Sequence, residues 1–240
     1  TRGQVEAWFA NPADDHGLAA ISGEVSNNLI MVEIEQSDYL NRLAEIAEHS
    51  GLKTLWDQAF NGWTESSPGK GVHWFLHSTH PVPGNQKLAQ RPSTPQELAA
   101  WKTEETAKAQ HLEPEMRAKR LAKIEATTAE QVRQTIAETR GEGGYTIVAP
   151  TPGTHHETGN PWTPILGGPT TIPTLTPEDL DDFLDLFRAL DETPQPPTPT
   201  PTRTTPVTTG RLQPGDDFDN QATWDEILTP NGCWESVFFP

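Results

Sequence analysis

Hydrophobic and polar positions follow three different rhythms along this chain, and each predicts a different kind of element. Leu29-Ile30-Met31-Val32 is an unbroken apolar run that ends in Glu33-Ile34-Glu35. Coming after the turn-forming Ser26-Asn27-Asn28, it predicts a buried strand. Side chains alternate faces along a strand, so Glu33 and Glu35 share one face while Ile34 points into a core. Val72-His73-Trp74-Phe75-Leu76 reads as a second apolar strand that carries a histidine. His16–Ile21 reads as a short strand running to a turn at Ser22-Gly23, and Thr135–Glu138 as another. The latter feeds the glycine turn Arg140-Gly141-Glu142-Gly143-Gly144, with Tyr145–Ala149 as the return strand of a hairpin.

The second rhythm is helical. Leu40, Leu43, Ile46 and Ala47 recur at helical spacing within Asp38–Phe60; Ser50-Gly51 divides that segment into two helices, and Asn61-Gly62 stops the second. Thr94-Pro95-Gln96-Glu97 combines a capping threonine, an N1 proline and an N3 glutamate, a helix start. That helix runs to about Gln110, restarts at Pro114 and reaches about Ala126, and Thr128 with Gln131 forms another capping box. This block is mostly polar and is expected to form a lobe over the core. Thr176–Leu190 is the clearest helix, capped by Thr176 with Pro177 at N1. Its Leu180, Phe183, Leu184, Phe187 and Leu190 make one apolar face.

Elsewhere no period holds. Thr1–Ala20 opens with the amphipathic residues Val5, Trp8 and Phe9, ended by Asn11-Pro12. Ser66–Gly71 reads as a flexible loop, Pro81–Gly84 as a turn, and Pro150–Pro173 as loop. Thr193–Thr209 holds six prolines and eight threonines, the composition of an extended, solvated linker. Arg211–Pro240 regains aromatic residues, as a docking segment or the start of another module.

Composition narrows the possibilities. Hydrophobic content of 33% with 23 prolines implies that part of the chain is extended. No apolar run approaches the ~20 residues of a membrane span. Cys233 is the only cysteine, which excludes an intramolecular disulfide and a cysteine metal cluster and suits a cytosolic protein. The start at Thr1-Arg2-Gly3-Gln4 reads as that of an excised fragment with native sequence before it. A net charge of −17 argues against nucleic-acid binding at face value. Yet ten of the 17 Lys and Arg fall between Lys87 and Arg140, against eight acids there. That segment either has ordinary helix-surface charge or faces a polyanion.

Three features then stand in order: the strand with Glu33 and Glu35, a glycine-containing loop leading into His73, and Glu138 beside a glycine turn. Carboxylates crowded on one buried face need a cation between them. Glutamates offer hard oxygen ligands suited to Mg2+ or Mn2+. Backbone N–H groups of Pro68–Gly71 and the charge of Lys70 could cradle phosphate, and His73 and Arg140 could donate to it. Metals, a phosphate cradle and cationic clamps are what nucleotidyl transfer from an NTP requires. Each part has a plainer reading: His73 as a core histidine, Ser67-Pro68-Gly69-Lys70-Gly71 as a turn without the full P-loop spacing, Glu138 and Arg140 as a surface ion pair.

Taken together, these residues resemble the primase–polymerase (prim-pol) domain of the archaeo-eukaryotic primase superfamily, of the kind found in phage and plasmid replication proteins. The acid-x-acid strand appears as Val32-Glu33-Ile34-Glu35, the small-x-His strand as Gly71-Val72-His73, and the third acid as Ala137-Glu138. Gly84–Ala89, Glu138–Tyr145, and Ala149-Pro150 followed by His156-x-x-Gly159 extend the likeness, which spans about residues 5–190. A weaker echo lies at 211–234.

The resemblance implies an α+β fold, primase-like, with an RRM-like antiparallel or mixed sheet, flanking helices and a helical insertion at about 92–134. It places the catalytic domain at 1–191, the linker at 192–210 and a further segment at 211–240. Glu33, Glu35 and Glu138 would hold catalytic Mg2+ or Mn2+, with His73 on the phosphates of the incoming nucleotide. Lys70, Gly71, Arg140, Lys87 and His156 are the further candidates for nucleotide or template contact. Partners implied are a single-stranded DNA template, a primer strand, NTP or dNTP, and a helicase domain in the same full-length chain. The setting is DNA replication in the cytoplasm of a bacterial host cell, with no membrane. Trp74, Trp101 and Trp162 are candidates for base stacking. The sequence departs from the family pattern in using two glutamates where aspartates are usual, and in having Gly71 where some relatives carry a hydroxyl. Two competitors remain: a non-catalytic DNA- or helicase-binding replication module of the same fold, and a metal-dependent nuclease.

Overall fold

The strand that begins at Leu29 lies near the middle of a mostly antiparallel sheet with helices packed on one face. This is seen in a computed structural model of the chain, which describes Gly3 and residues 15–193. By its contacts the chain divides into a unit Thr1–Pro194 and a unit Gln195–Pro240. The predicted amphipathic opening, nearly all of the Pro/Thr linker and the segment 211–240 lie outside the described residues.

In chain order the elements are β1 (Leu18–Ile21), β2 (Leu29–Ile34), α1 (Leu40–His49), α2 (Lys53–Phe60), β3 (Trp63–Ser66), β4 (Val72–Ser78) and β5 (Gln86–Pro92). There follow α3 (Pro95–Ala109), α4 (Pro114–Ala126), β6 (Arg133–Arg140), β7 (Tyr145–Val148), β8 (Thr163–Leu166), β9 (Thr174–Leu175) and α5 (Pro177–Arg188). The main sheet has the order β5-β6-β2-β4-β3-β8, antiparallel throughout, and β9 adds a short parallel pairing to β4. A separate two-stranded ribbon joins β1 to β7.

One face of the sheet carries the principal core. Ile30, Val32 and Ile34 of β2 and Val72, Trp74 and Leu76 of β4 pack against Leu43 of α1, Trp56 of α2, and Phe183 and Phe187 of α5. The aromatic rings interlock: Trp74 lies 5.6 Å from Trp56 and 5.3 Å from Phe187, centroid to centroid. Every apolar position predicted for the last helix is buried, and the Thr176 hydroxyl accepts the Asp179 N–H as its cap. The opposite face holds a smaller cluster of Leu29, Met31, Trp63, Phe75 and Val148, where Trp63 stacks on Phe75 at 4.0 Å. Among the described residues no helix is long and apolar enough to cross a membrane.

Several expectations change. The glycine turn after Glu138 does not close a hairpin: β6 pairs with β2 and β5, and β7 pairs with β1. A strand has two edges, and both edges of β6 are taken. The turn itself is bent against the chain before β5, for a Cβ on Gly141 would stand 1.9 Å from the Pro83 carbonyl oxygen. The helices α3 and α4 do lie between β5 and β6, and the capping boxes at Thr94 and Thr128 both form. They do not cover the core, however: no side chain of either helix belongs to it, and in each only one residue, Ala109 or Ile124, is buried. A polar helix pair cannot displace α1, α2 and α5 from an apolar sheet face, so it sits at the connection between edge strand and neighbour. Strand β8 falls within Pro150–Pro173, which reads as loop, while β3, β5 and β9 lie almost wholly in stretches where the sequence pattern assigns no element.

Candidate functional site

Strand register, more than any single motif, assembles the site. Glu33 lies directly opposite Glu138 of β6 on one side and His73 of β4 on the other. His73 in turn lies opposite Glu65 of β3. Directly paired residues in antiparallel strands share a face, so Glu138, Glu33, His73 and Glu65 form a row across four strands. Glu35, one residue beyond β2, stays tied to β6 through its N–H on the Ile136 carbonyl (2.9 Å) and projects from the same face as Glu33. Ligand oxygens of Glu33, Glu35 and Glu138 all lie within 4.8 Å of one another, a set that could hold a metal ion.

The electrostatics follow from this crowding. Glu35 is exposed at its outer edge, yet loss of hydration first, and then the charges of Glu33 and Glu138, push its carboxyl up to about 7. His73 and Arg140 pull weakly the other way. His73 is buried, and its Nε2 and Nδ1 each lie 3.1 Å from a carboxylate, Glu33 Oε1 and Glu65 Oε1. Burial disfavours the imidazolium, but the hydrogen bonds and charges of Glu33 and Glu65 together outweigh it and raise His73 to about 9. At neutral pH the ring therefore donates to both carboxylates. Glu65 is completely buried, and its second oxygen accepts the Ala149 N–H at 3.0 Å. Arg140 pairs with Glu138.

The row opens into a cavity of about 510 Å3 lined by Glu33, Glu35, His73 and Arg140. The turn residues Ser67, Pro68 and Gly69 form one wall, and Gly143, Gly144 and Tyr145 another. His156 and Trp162 complete it, their rings edge to face at 5.7 Å. Thr158 and Asn160 both donate to the Pro68 carbonyl, which ties the His156 segment to the β3–β4 turn. Gly71 is required sterically: a Cβ there would come within 2.5 Å of the Ile34 carbonyl oxygen and 3.2 Å of Glu33 Oε1. The glycine thus lets the turn lie against the acidic strand.

Of the residues singled out in the sequence, Glu33, Glu35, Glu138, His73, Arg140 and His156 come together. Lys70 and Lys87 do not line the cavity. Lys70 is exposed on the turn with a left-handed backbone (φ 72°), and Lys87 is exposed on β5 opposite Glu138. The proposed backbone cradle is largely consumed by the turn itself. Lys70 N–H donates to the Ser67 carbonyl and Gly71 N–H to the Ser67 hydroxyl, and Pro68 has no N–H to offer. Trp74 is fully buried in the core and is not available to a base, Trp101 lies on the helical pair, and Trp162 borders the site. Two site residues escaped the sequence reading: Glu65, and Asn85, which lines the cavity and accepts the Gly141 N–H at 3.1 Å. The signal for Glu65 is faint: Trp63-Thr64-Glu65-Ser66 after the Asn61-Gly62 stop reads as a strand with an inward carboxylate only once β4 is beside it.

Such an arrangement can hold a hard divalent cation on oxygens and present two cationic groups to an anion beside it. No protein-family model matches the chain, and none of the curated proteins searched matches it.

Proposed function

We propose that this chain performs template-directed nucleotidyl transfer, as a DNA primase and/or DNA polymerase dependent on Mg2+ or Mn2+. The observation that carries this reading is the convergence of Glu33 and Glu35, at the end of β2, with Glu138 of β6, beside a cavity lined by Glu33, Glu35, His73 and Arg140. The donor set fits the metals: three carboxylates, no thiolate, and a Glu35 carboxyl whose ionisation is opposed by its neighbours until a cation offsets them. When bound, the metals would activate a primer 3′-oxygen and neutralise charge on the triphosphate. Arg140 offers a forked donor to phosphate oxygens at the cavity wall. Glu65 holds His73 by Nδ1, which keeps the opposite edge of the ring directed toward Glu33 and the cavity. Asn85 and the Gly141–Gly144 turn shape the wall across from the β3–β4 turn. A primase-like identity for the mostly antiparallel sheet, the single-stranded template, the helicase domain in a longer chain and a bacterial host cytoplasm belong to the same reading.

The test is extension of a labelled primer on a single-stranded template, with Mg2+ or Mn2+ and with NTPs or dNTPs. The reading expects longer products that need the divalent ion. Shortened primer would indicate a nuclease. Absence of metal-dependent nucleotide binding by calorimetry would indicate a non-catalytic module.

A further inference from the structure

A second cavity, about 880 Å3, lies between α3, α4 and the start of β6, and none of the acidic-cluster residues lines it. Its floor is apolar, with Ile124 and Val132 buried, and the half-buried indole of Trp101 forms part of a wall. The acids on its lining are already engaged. Glu97 is held in a two-pronged pair by Arg91, and Glu104 pairs with Lys108 at 2.7 Å. Two of its cations keep donor capacity to spare. Among the described residues Lys123 makes no ion pair, and Arg133 Nη1 is buried without a hydrogen-bond partner. Glu130 and Asp191 sense the charge of Arg133, but neither bonds that nitrogen. A buried guanidinium nitrogen with no acceptor carries a desolvation cost that an entering anionic oxygen would remove.

We infer that this cavity binds a nucleoside phosphate, its phosphate oxygens on Arg133 and Lys123 and its base against Trp101. Its size is that of a small-molecule site, and aromatic faces accept any base by stacking. The inference is independent of the reading of the acidic cluster, because it needs neither the carboxylates nor a divalent ion. The nucleoside phosphate has two possible sources, a free nucleotide or one unit of a single strand, and the probes below separate them.

The test is calorimetric titration of the full chain in EDTA, once with ATP and once with an oligothymidylate of about eight nucleotides. Saturable binding of at least one probe is expected. The variant Lys123→Glu, at an exposed position, should weaken it about tenfold or more, and Trp101→Ala about fivefold or more. Lys119→Glu, exposed on α4 and lining neither cavity, should bind as wild type. Tighter binding of ATP assigns the site to free nucleotide, and tighter binding of the oligonucleotide assigns it to a strand. No saturable binding of either probe, or wild-type affinity in both Lys123→Glu and Trp101→Ala, overturns the inference.

Discussion

Glu65 and His73 stand opposite each other on β3 and β4, with Glu65 Oε1 3.1 Å from His73 Nδ1. The pair is buried, and through the Ala149 N–H it also joins β3 to the segment after β7. A buried charge that loses its partner is costly, whereas a neutral, hydrogen-bonded replacement of both is tolerated. His73→Ala should therefore destabilise the fold by about 3–5 kcal/mol in urea unfolding. The double variant Glu65→Gln with His73→Gln should recover more than half of that loss. An unchanged unfolding midpoint in His73→Ala would contradict the buried ion pair.

Glu35 differs from its neighbours in that its carboxylate contributes repulsion and makes no side-chain hydrogen bond among the described residues. Glu35→Gln should leave the melting temperature in EDTA unchanged or raised, because two like charges lose a neighbour. Saturating Mn2+, at a hundredfold its Kd, should stabilise wild type by about 2.7 kcal/mol, and Glu35→Gln should lose most of that gain. Scanning calorimetry with and without Mn2+ measures both. Glu33→Ala and Glu35→Ala should also abolish primer extension while remaining folded by circular dichroism. Wild-type extension in Mn2+ by either would remove the acidic strand from the mechanism.

The β3–β4 turn offers a matched pair of glycines. Gly71→Ala places a methyl group 2.5 Å from the Ile34 carbonyl oxygen, so the turn must move off β2. Overpacking of this kind costs about 1–3 kcal/mol, and the movement should also lower metal affinity through Glu33. Gly69→Ala meets nothing within 4 Å and should change stability by no more than about 0.5 kcal/mol. Equal unfolding midpoints for the two variants would refute the close packing of the turn against the acidic strand.

Away from the site, Arg91 and Glu97 supply an acid-sensitive contribution. The Arg91 hydrogen bonds, with help from Thr94, lower the Glu97 carboxyl from 4.5 to about 2. A carboxyl whose folded pKa is depressed stabilises the fold above its unfolded pKa and loses that contribution as pH falls through the folded value. The loss should thus fall between about pH 4.5 and 2. Because Glu97 is partly solvated, its size should be only on the order of 1 kcal/mol. Comparing wild type with Glu97→Gln by denaturation at pH 7 and pH 3 checks this: the difference between them should shrink at the lower pH.

The chain's local chemistry alone determined much of this protein. Leu29–Ile34 is a strand, and Glu33 and Glu35 share a face, because an apolar run and the period of two allow little else. The helices at Leu40, Pro95, Pro114 and Pro177 were legible because capping residues and apolar spacing act within a few residues of one another. Tertiary structure alone decided the pairing. That β7 leaves β6 for β1 and that Glu65 stands beside His73 both depend on which strand edges are already occupied. Those contacts join residues distant in sequence, and no local pattern encodes them. The row Glu138–Glu33–His73–Glu65 is therefore a property of the sheet's register: each residue was present in the sequence, but only strand pairing put the four side by side.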